Sequence, residues 1–257
     1  MTGTLARPRR LSPAWVPAAA LVLTAIAYPL TDGGARDVVS WAIVLFGATA
    51  SVVAAGTSRG RRAALTVLVL VAVVAVLFEA VGLATGFPYG EYSYSDTLGP
   101  TLLGVPFLVP LAWLMMAWPS WVLAARLAPR RRVVRIATAA YAFAAWDVLL
   151  DPQMVQAGYW TWAHPSPGLP GIDAIPLTNL AGWLLAGLVL MTLLDRALDR
   201  TPRTGPGDAA ALLVLGWMTL GGALAHAGWL GLPGSATWEL VLAVPVLAAV
   251  GLRLRRR

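Results

Sequence analysis

Apolar residues fall in eight runs, at about 14–31, 38–56, 64–85, 101–125, 134–150, 176–194, 209–230 and 236–252. Each is near the ~20 residues a helix needs to cross a bilayer. The runs predict an all-α membrane protein, with residues 1–257 as one integral-membrane domain of about eight spans. Seven spans would follow if one run were re-entrant, but eight fits the basic residues better. The last two runs are parted only by Gly231-Leu232-Pro233-Gly234, a tight turn. Residues 1–10, a predicted cytoplasmic tail, and 200–208 lack such runs and are expected to be mobile.

Charge gives the runs a direction. All 19 basic residues are Arg. They cluster at 7–10, 59–62, 126–135, 196–203 and 253–257, and only Arg36 stands apart. Paired apolar runs separate the clusters. That is the positive-inside pattern, and it places both termini in the cytoplasm. The net charge of +7 does not point to nucleic acid, because the clusters are short and carry no interleaved aromatics. They read instead as topology signals beside anionic lipid.

Composition narrows the class further. The chain is 58% hydrophobic and 12% charged, with mean hydropathy +0.72. A soluble domain of this size cannot hide so much apolar surface. No Cys is present, which removes disulfides, thiolate catalysis and Cys-ligated metals. The first run resembles a signal peptide. Its Tyr28-Pro29 and Thr31-Asp32 end lacks a small-x-small cleavage site, so it is expected to be retained. No Walker or Gly-x-Gly-x-x-Gly element opens a helix, and the two His residues are too few for a persuasive metal site. No cofactor and no metal is expected.

Two loops on the predicted outer side are longer and richer than connectors need to be. They span 86–100 and 151–175. The first holds Tyr89, Tyr92 and Tyr94, the second Tyr159, Trp160 and Trp162. An interfacial aromatic belt accounts for single rings. The mixture of acids, aromatics, Gly and Pro in each loop suits an ordered lid better.

Polar groups inside apolar runs are costly and call for a reason. Glu79, Asp147, Asn179, His226 and Glu239 all lie toward the predicted outer ends of their spans. Asp151 follows Asp147 at i+4, on the same helical face. The Asp-Val-Leu-Leu-Asp-Pro segment is expected to close its helix at Pro152. Two carboxylates one turn apart repel, and in a dry site one of them is expected to hold a proton near neutral pH. Such a group is a competent general acid. Snorkelling to water, or helix termination, is the plain structural alternative. Pro106 and Pro110 are expected to kink the fourth span and open a cavity. Trp113, Met115, Met116, Trp118 and Trp121 would then line a slot, or only pack.

The motif Gly86-Phe87-Pro88-Tyr89-Gly90-Glu91-Tyr92-Ser93-Tyr94, with Gly104-Val105-Pro106 and Pro110-Leu111-Ala112-Trp113, resembles the carotenoid biosynthesis membrane proteins of the CruF type. The block Ala145-Trp146-Asp147-Val148-Leu149-Leu150-Asp151-Pro152 is similar too, as are Gly158-Tyr159-Trp160-Thr161-Trp162 and Asn179-Leu180-Ala181-Gly182-Trp183. The resemblance covers about 75–195. It implies a carotenoid hydratase that adds water across the terminal double bond of an acyclic ψ-type end to give a tertiary alcohol. It also implies an acyclic carotenoid and water as partners, with other pathway enzymes as candidate neighbours in the bilayer.

The chemistry of that reaction assigns roles. A proton goes to the less substituted alkene carbon, and water captures the tertiary cation. Asp147 and Asp151 are expected to supply the proton, and Glu79 or Glu91 to position water. Tyr89, Tyr92, Tyr94, Tyr159 and Trp160 would offer cation-stabilising faces from the loops. Trp113, Trp146, Asn179 and Trp183 complete the expected substrate site. A cyclase or prenyl-transfer partner would use the same acid and cation. A transporter or non-catalytic pigment-binding subunit would use the acids as relays.

Overall fold

A computed structural model describes residues 11–198 and 204–255. The predicted tail 1–10 lies outside the described residues, as do residues 200–203 of the expected mobile stretch 200–208. The helices α1 (Trp15–Ala27), α2 (Gly33–Arg59) and α3 (Arg61–Thr85) open the chain. The short strands β1 (Tyr92–Tyr94), β2 (Thr101–Leu102) and β3 (Val105–Pro106) follow. Next come α4 (Leu108–Leu127), α5 (Arg132–Ala145) and α6 (Asp147–Gln156), then β4 (Trp160–Trp162), β5 (Gly168–Leu169) and β6 (Ile172–Pro176). The chain ends with α7 (Leu177–Ala197), α8 (Asp208–Gly216), a π-helical turn over Trp217–Gly221, α9 (Gly222–Gly228) and α10 (Pro233–Arg255).

Seven helical stretches are long and apolar enough to cross a membrane, α5–α6 and α8–α9 each counting as one. Trp15–Leu30 is an eighth, shorter one. The chain is therefore an all-α polytopic membrane protein. The outer faces agree: Leu65, Val69, Val73, Leu77 and Val81 form an exposed stripe at i+4 spacing along α3. Water would penalise such a stripe and lipid does not. The opposite face of α3 buries Val67, Val71, Ala75, Glu79 and Gly82.

The bundle is centred on α4, whose apolar stretch is 89% buried. It packs against α2, α3, α5 and α8. Pro119 inside α4 has no N–H, which frees the Met115 carbonyl four residues earlier. Ser51 Oγ on α2 donates to that carbonyl at 3.0 Å. Met116, Trp118 and Trp121 pack in the core, and Trp118 stacks on Trp121 with centroids 5.2 Å apart.

Three sequence expectations fail here. The fourth span does not start at 101. Residues 101–106 form the β2–β3 hairpin, turning through Leu103 (φ 54) and Gly104 (φ 81). Two consecutive positive φ values make the type I′ turn that suits a two-residue hairpin. Pro106 therefore ends a strand and Pro110 sits in the first turn of α4, so neither kinks the span. Nor does Pro152 close its helix. The helix breaks earlier, at Trp146, and α6 carries Pro152 inside it to Gln156.

The Arg clusters meet at one end of the bundle. Asp195 is bonded by Arg132 at 2.9 Å and Arg135 at 2.6 Å. Asp208 lies 3.6 Å from Arg59 and 3.4 Å from Arg126. That makes Asp208 a buried anchor at the start of α8, not part of a mobile linker.

At the opposite end the two long loops join. β1 pairs antiparallel with β4, aligning Tyr92 with Trp162, Ser93 with Thr161 and Tyr94 with Trp160. Side chains alternate across a strand. Ser93 and Thr161 are exposed, and the four aromatics face into the bundle. Gly82 and Gly182 let the loop descend: a Cβ on Gly82 would stand 2.9 Å from the Tyr92 hydroxyl, and one on Gly182 2.6 Å from the Tyr89 ring.

Candidate functional site

Beneath the β1–β4 ribbon lies a cleft with a cavity volume of about 90 Å³, several times the ~10–15 Å³ that holds one water. Its polar groups are few. α3 contributes Glu79, α6 contributes Asp151 and Gln153, and α7 contributes Asn179. Tyr28, in the 3-10 turn after α1, and Ser40 on α2 add hydroxyls.

Glu79 is held by the lid. Tyr92 Oη donates to its Oε2 at 2.5 Å and Tyr94 Oη at 2.8 Å. Burial holds the phenols of Tyr92 and Tyr94 well above their ordinary range, and the neighbouring Glu79 charge adds to this. Tyr89 is raised for the same two reasons. The phenols of Tyr92 and Tyr94 keep their protons and donate them to Glu79.

The two aspartates meet across Asn179. Its Nδ2 donates to Asp147 Oδ2 at 2.7 Å and also to Asp151 Oδ2. Trp160 Nε1 on the lid donates to Asp151 Oδ1 at 3.1 Å. Asp147 and Asp151 are 2% and 3% exposed, so bulk water does not screen them. Among the described residues, no ion pair joins a basic side chain to Asp147, Asp151 or Glu79. Only Asp151 lines the cleft. Asp147 stands behind it, against a smaller cavity walled by Val148, Ile172 and Leu180.

Aromatic rings form the rest of the enclosure. Above are Tyr92, Tyr94, Trp160 and Trp162, with Tyr94 edge-on to Trp160 at 5.6 Å. Below, Trp113 and Trp183 lie 5.1 Å apart, and both contact Phe143. Tyr89 and Trp146 also line the cleft, with Trp146 at the break between α5 and α6.

Two residues expected in this site lie elsewhere. Glu91 is exposed, 3.9 Å from His164 on the lid's outer side. It precedes Tyr92 by one residue, and strand alternation turns it outward. Tyr159 is buried, but it sits beside the cleft and donates to Asp37 at 2.5 Å. Burial, with the Asp37 bond, pushes its phenol up to about 12. Of the remaining polar residues, His226 reaches the cleft only through Gln153, and Glu239 lies in a separate groove with Tyr141. Gln153, Tyr28 and Ser40 escaped sequence reasoning because uncharged polar residues near span ends are common.

The sequence model of the family described as "Carotenoid biosynthesis protein" matches residues 39–248, which include every cleft group named above except Tyr28. The chain is 36% identical over 144 residues to a bisanhydrobacterioruberin hydratase of Haloarcula japonica. That alignment covers 54% of this chain and 47% of the relative, so the chain matches about half of the relative's length. No solved structure matches.

Proposed function

This chain belongs to the carotenoid biosynthesis protein family, and we propose that it hydrates the terminal C=C of an acyclic carotenoid end group, giving a tertiary alcohol. The observation that carries the reading is the Asp147–Asn179–Asp151 cluster: two buried carboxylates bridged by a neutral amide, opening on an aromatic cleft.

Adjacent buried carboxylates without a countercharge are best stabilised by one shared proton. Asp151 faces the cleft, so it is the donor, and Asp147 is the partner that keeps the proton available. Transfer of that proton to the less substituted alkene carbon leaves a tertiary cation. The faces of Tyr94, Trp160 and Trp113 stabilise the cation, and the Glu79 carboxylate sets a negative field across the cleft. Water bonds to the cation and returns a proton to the aspartate pair. The atoms balance with water alone, so neither redox nor nucleotide co-reactant enters.

The apolar cleft suits a hydrocarbon end group, and the lid limits bulk water to what the reaction consumes. We place the protein in the cell membrane with its Arg-rich end in the cytoplasm and its lid outside, on the charge asymmetry of its loops. Other enzymes of the pathway are candidate neighbours. The test is expression in a bacterium that makes an acyclic carotenoid, followed by mass spectrometry of the pigments. The expected product is heavier by one water. A product of unchanged mass would replace hydration with cyclisation, and unaltered pigment would remove the enzymatic reading.

A further inference from the structure

The water of the proposed reaction has no holder, and Gln153, Tyr28 and Ser40 line the cleft without a task. Of these, Gln153 lies two residues beyond Asp151 on α6. It is only half-buried, because its side chain borders open space. His226, fully buried on α9, approaches Gln153 Oε1 with Nε2 at 3.0 Å. His226 Nδ1 lies 2.7 Å from Ser235 Oγ on α10, itself 1% exposed. Three buried or half-buried groups from three helices thus form a chain that ends at the cleft.

We infer that Gln153, held in place by His226, positions the water that captures the cation. An amide oxygen has two lone pairs and its NH₂ two donors. The imidazole uses one of these and the Tyr28 hydroxyl neighbours the amide, which still borders the cleft where a ligand would sit. A neutral group suits this position. A carboxylate here would compete with water for the cation and form an ester, whereas an amide orients water and does not carry a charge of its own. His226 does not touch the reacting atoms. It is a positioning residue, and without it the Gln153 side chain regains its rotamer freedom.

This inference rests on the hydration reading and separates protonation from capture. Its test is hydration of an acyclic carotenoid by membranes holding the full chain in D₂O. Two products are read, the tertiary alcohol and deuterium in the recovered alkene. The wild-type chain is expected to form alcohol carrying deuterium on the protonated carbon. Gln153→Leu is expected to lose alcohol by about tenfold or more, the scale of one lost polar contact in a dry site. Its recovered alkene should gain deuterium, because the cation still forms and collapses by losing a proton. His226→Leu should show the same signature more weakly.

Undiminished alcohol in Gln153→Leu would overturn the inference and leave hydration standing. So would loss of alcohol without deuterium exchange, since that would place Gln153 in protonation or in the fold. Wild-type membranes that give neither alcohol nor exchange would overturn the hydration reading, and this inference with it.

Discussion

The two ends of this bundle bury the same kind of residue in opposite ways. At the Arg-rich end, Asp195 and Asp208 are each met by two guanidinium groups. At the lid end, Glu79, Asp147 and Asp151 are met by phenols, an indole and an amide, all neutral. A buried carboxylate paired with Arg is fixed as an anion and joins helices together. One surrounded by neutral donors can gain and lose a proton, which a proton-transfer site requires. Burial alone therefore does not distinguish the two sets of acids. The charge of the partner does.

Substitution at each end sharpens this contrast. The largest effect is expected from Asp151→Asn, which keeps shape and hydrogen bonding but removes the transferable proton. Hydration should fall by roughly 10²–10⁴, the usual contribution of a general acid, with protein level and thermal stability in detergent unchanged. Asp147→Asn should also suppress product, through loss of the shared proton. If it matches the wild type in pigment analysis, Asp151 acts without its partner.

Next is Asp195→Asn, at the other end. It leaves Arg135, 4% exposed, without its anion. Breaking a buried pair from one side costs on the order of 3–5 kcal/mol. A lower melting temperature is expected, with normal turnover per folded molecule. Lost turnover in stable protein would mean that the two ends are not independent.

A smaller effect is expected from Tyr92→Phe, which removes one donor from Glu79. A hydrogen bond to a charged group is worth about 1.5–3 kcal/mol, so pigment hydration should drop by roughly tenfold or somewhat more. Tyr94→Phe, with the longer bond, should cost less. Glu91→Gln should change product yield by less than about a factor of two, as surface substitutions do. A large loss there would bring Glu91 back into the site.

The lid was legible only as two ordered loops rich in acids, aromatics, Gly and Pro; the strand alternation within them came from the structure. Tyr92-Ser93-Tyr94 and Trp160-Thr161-Trp162 each place two rings on one face. The mispredicted start of α4 has a local cause: Leu102, Leu103 and Val105 read as membrane-spanning, although Leu103 and Gly104 adopt turn geometry that hydropathy does not sense. Glu91 was misassigned because its neighbours are in the site and the pleat carries it to the other side.

The sequence by itself determined which segments cross the bilayer, since each span must satisfy lipid on its own account. It also determined that Asp147 and Asp151 share a helical face, because i+4 spacing does not depend on the rest of the fold. Only the tertiary structure decided that Asn179 bridges those acids, that Glu79 belongs to the lid tyrosines, and that Asp151 rather than Asp147 meets the cleft. Those pairings depend on how each helix is rotated and how deep it sits against its neighbours. Packing across the whole bundle sets both.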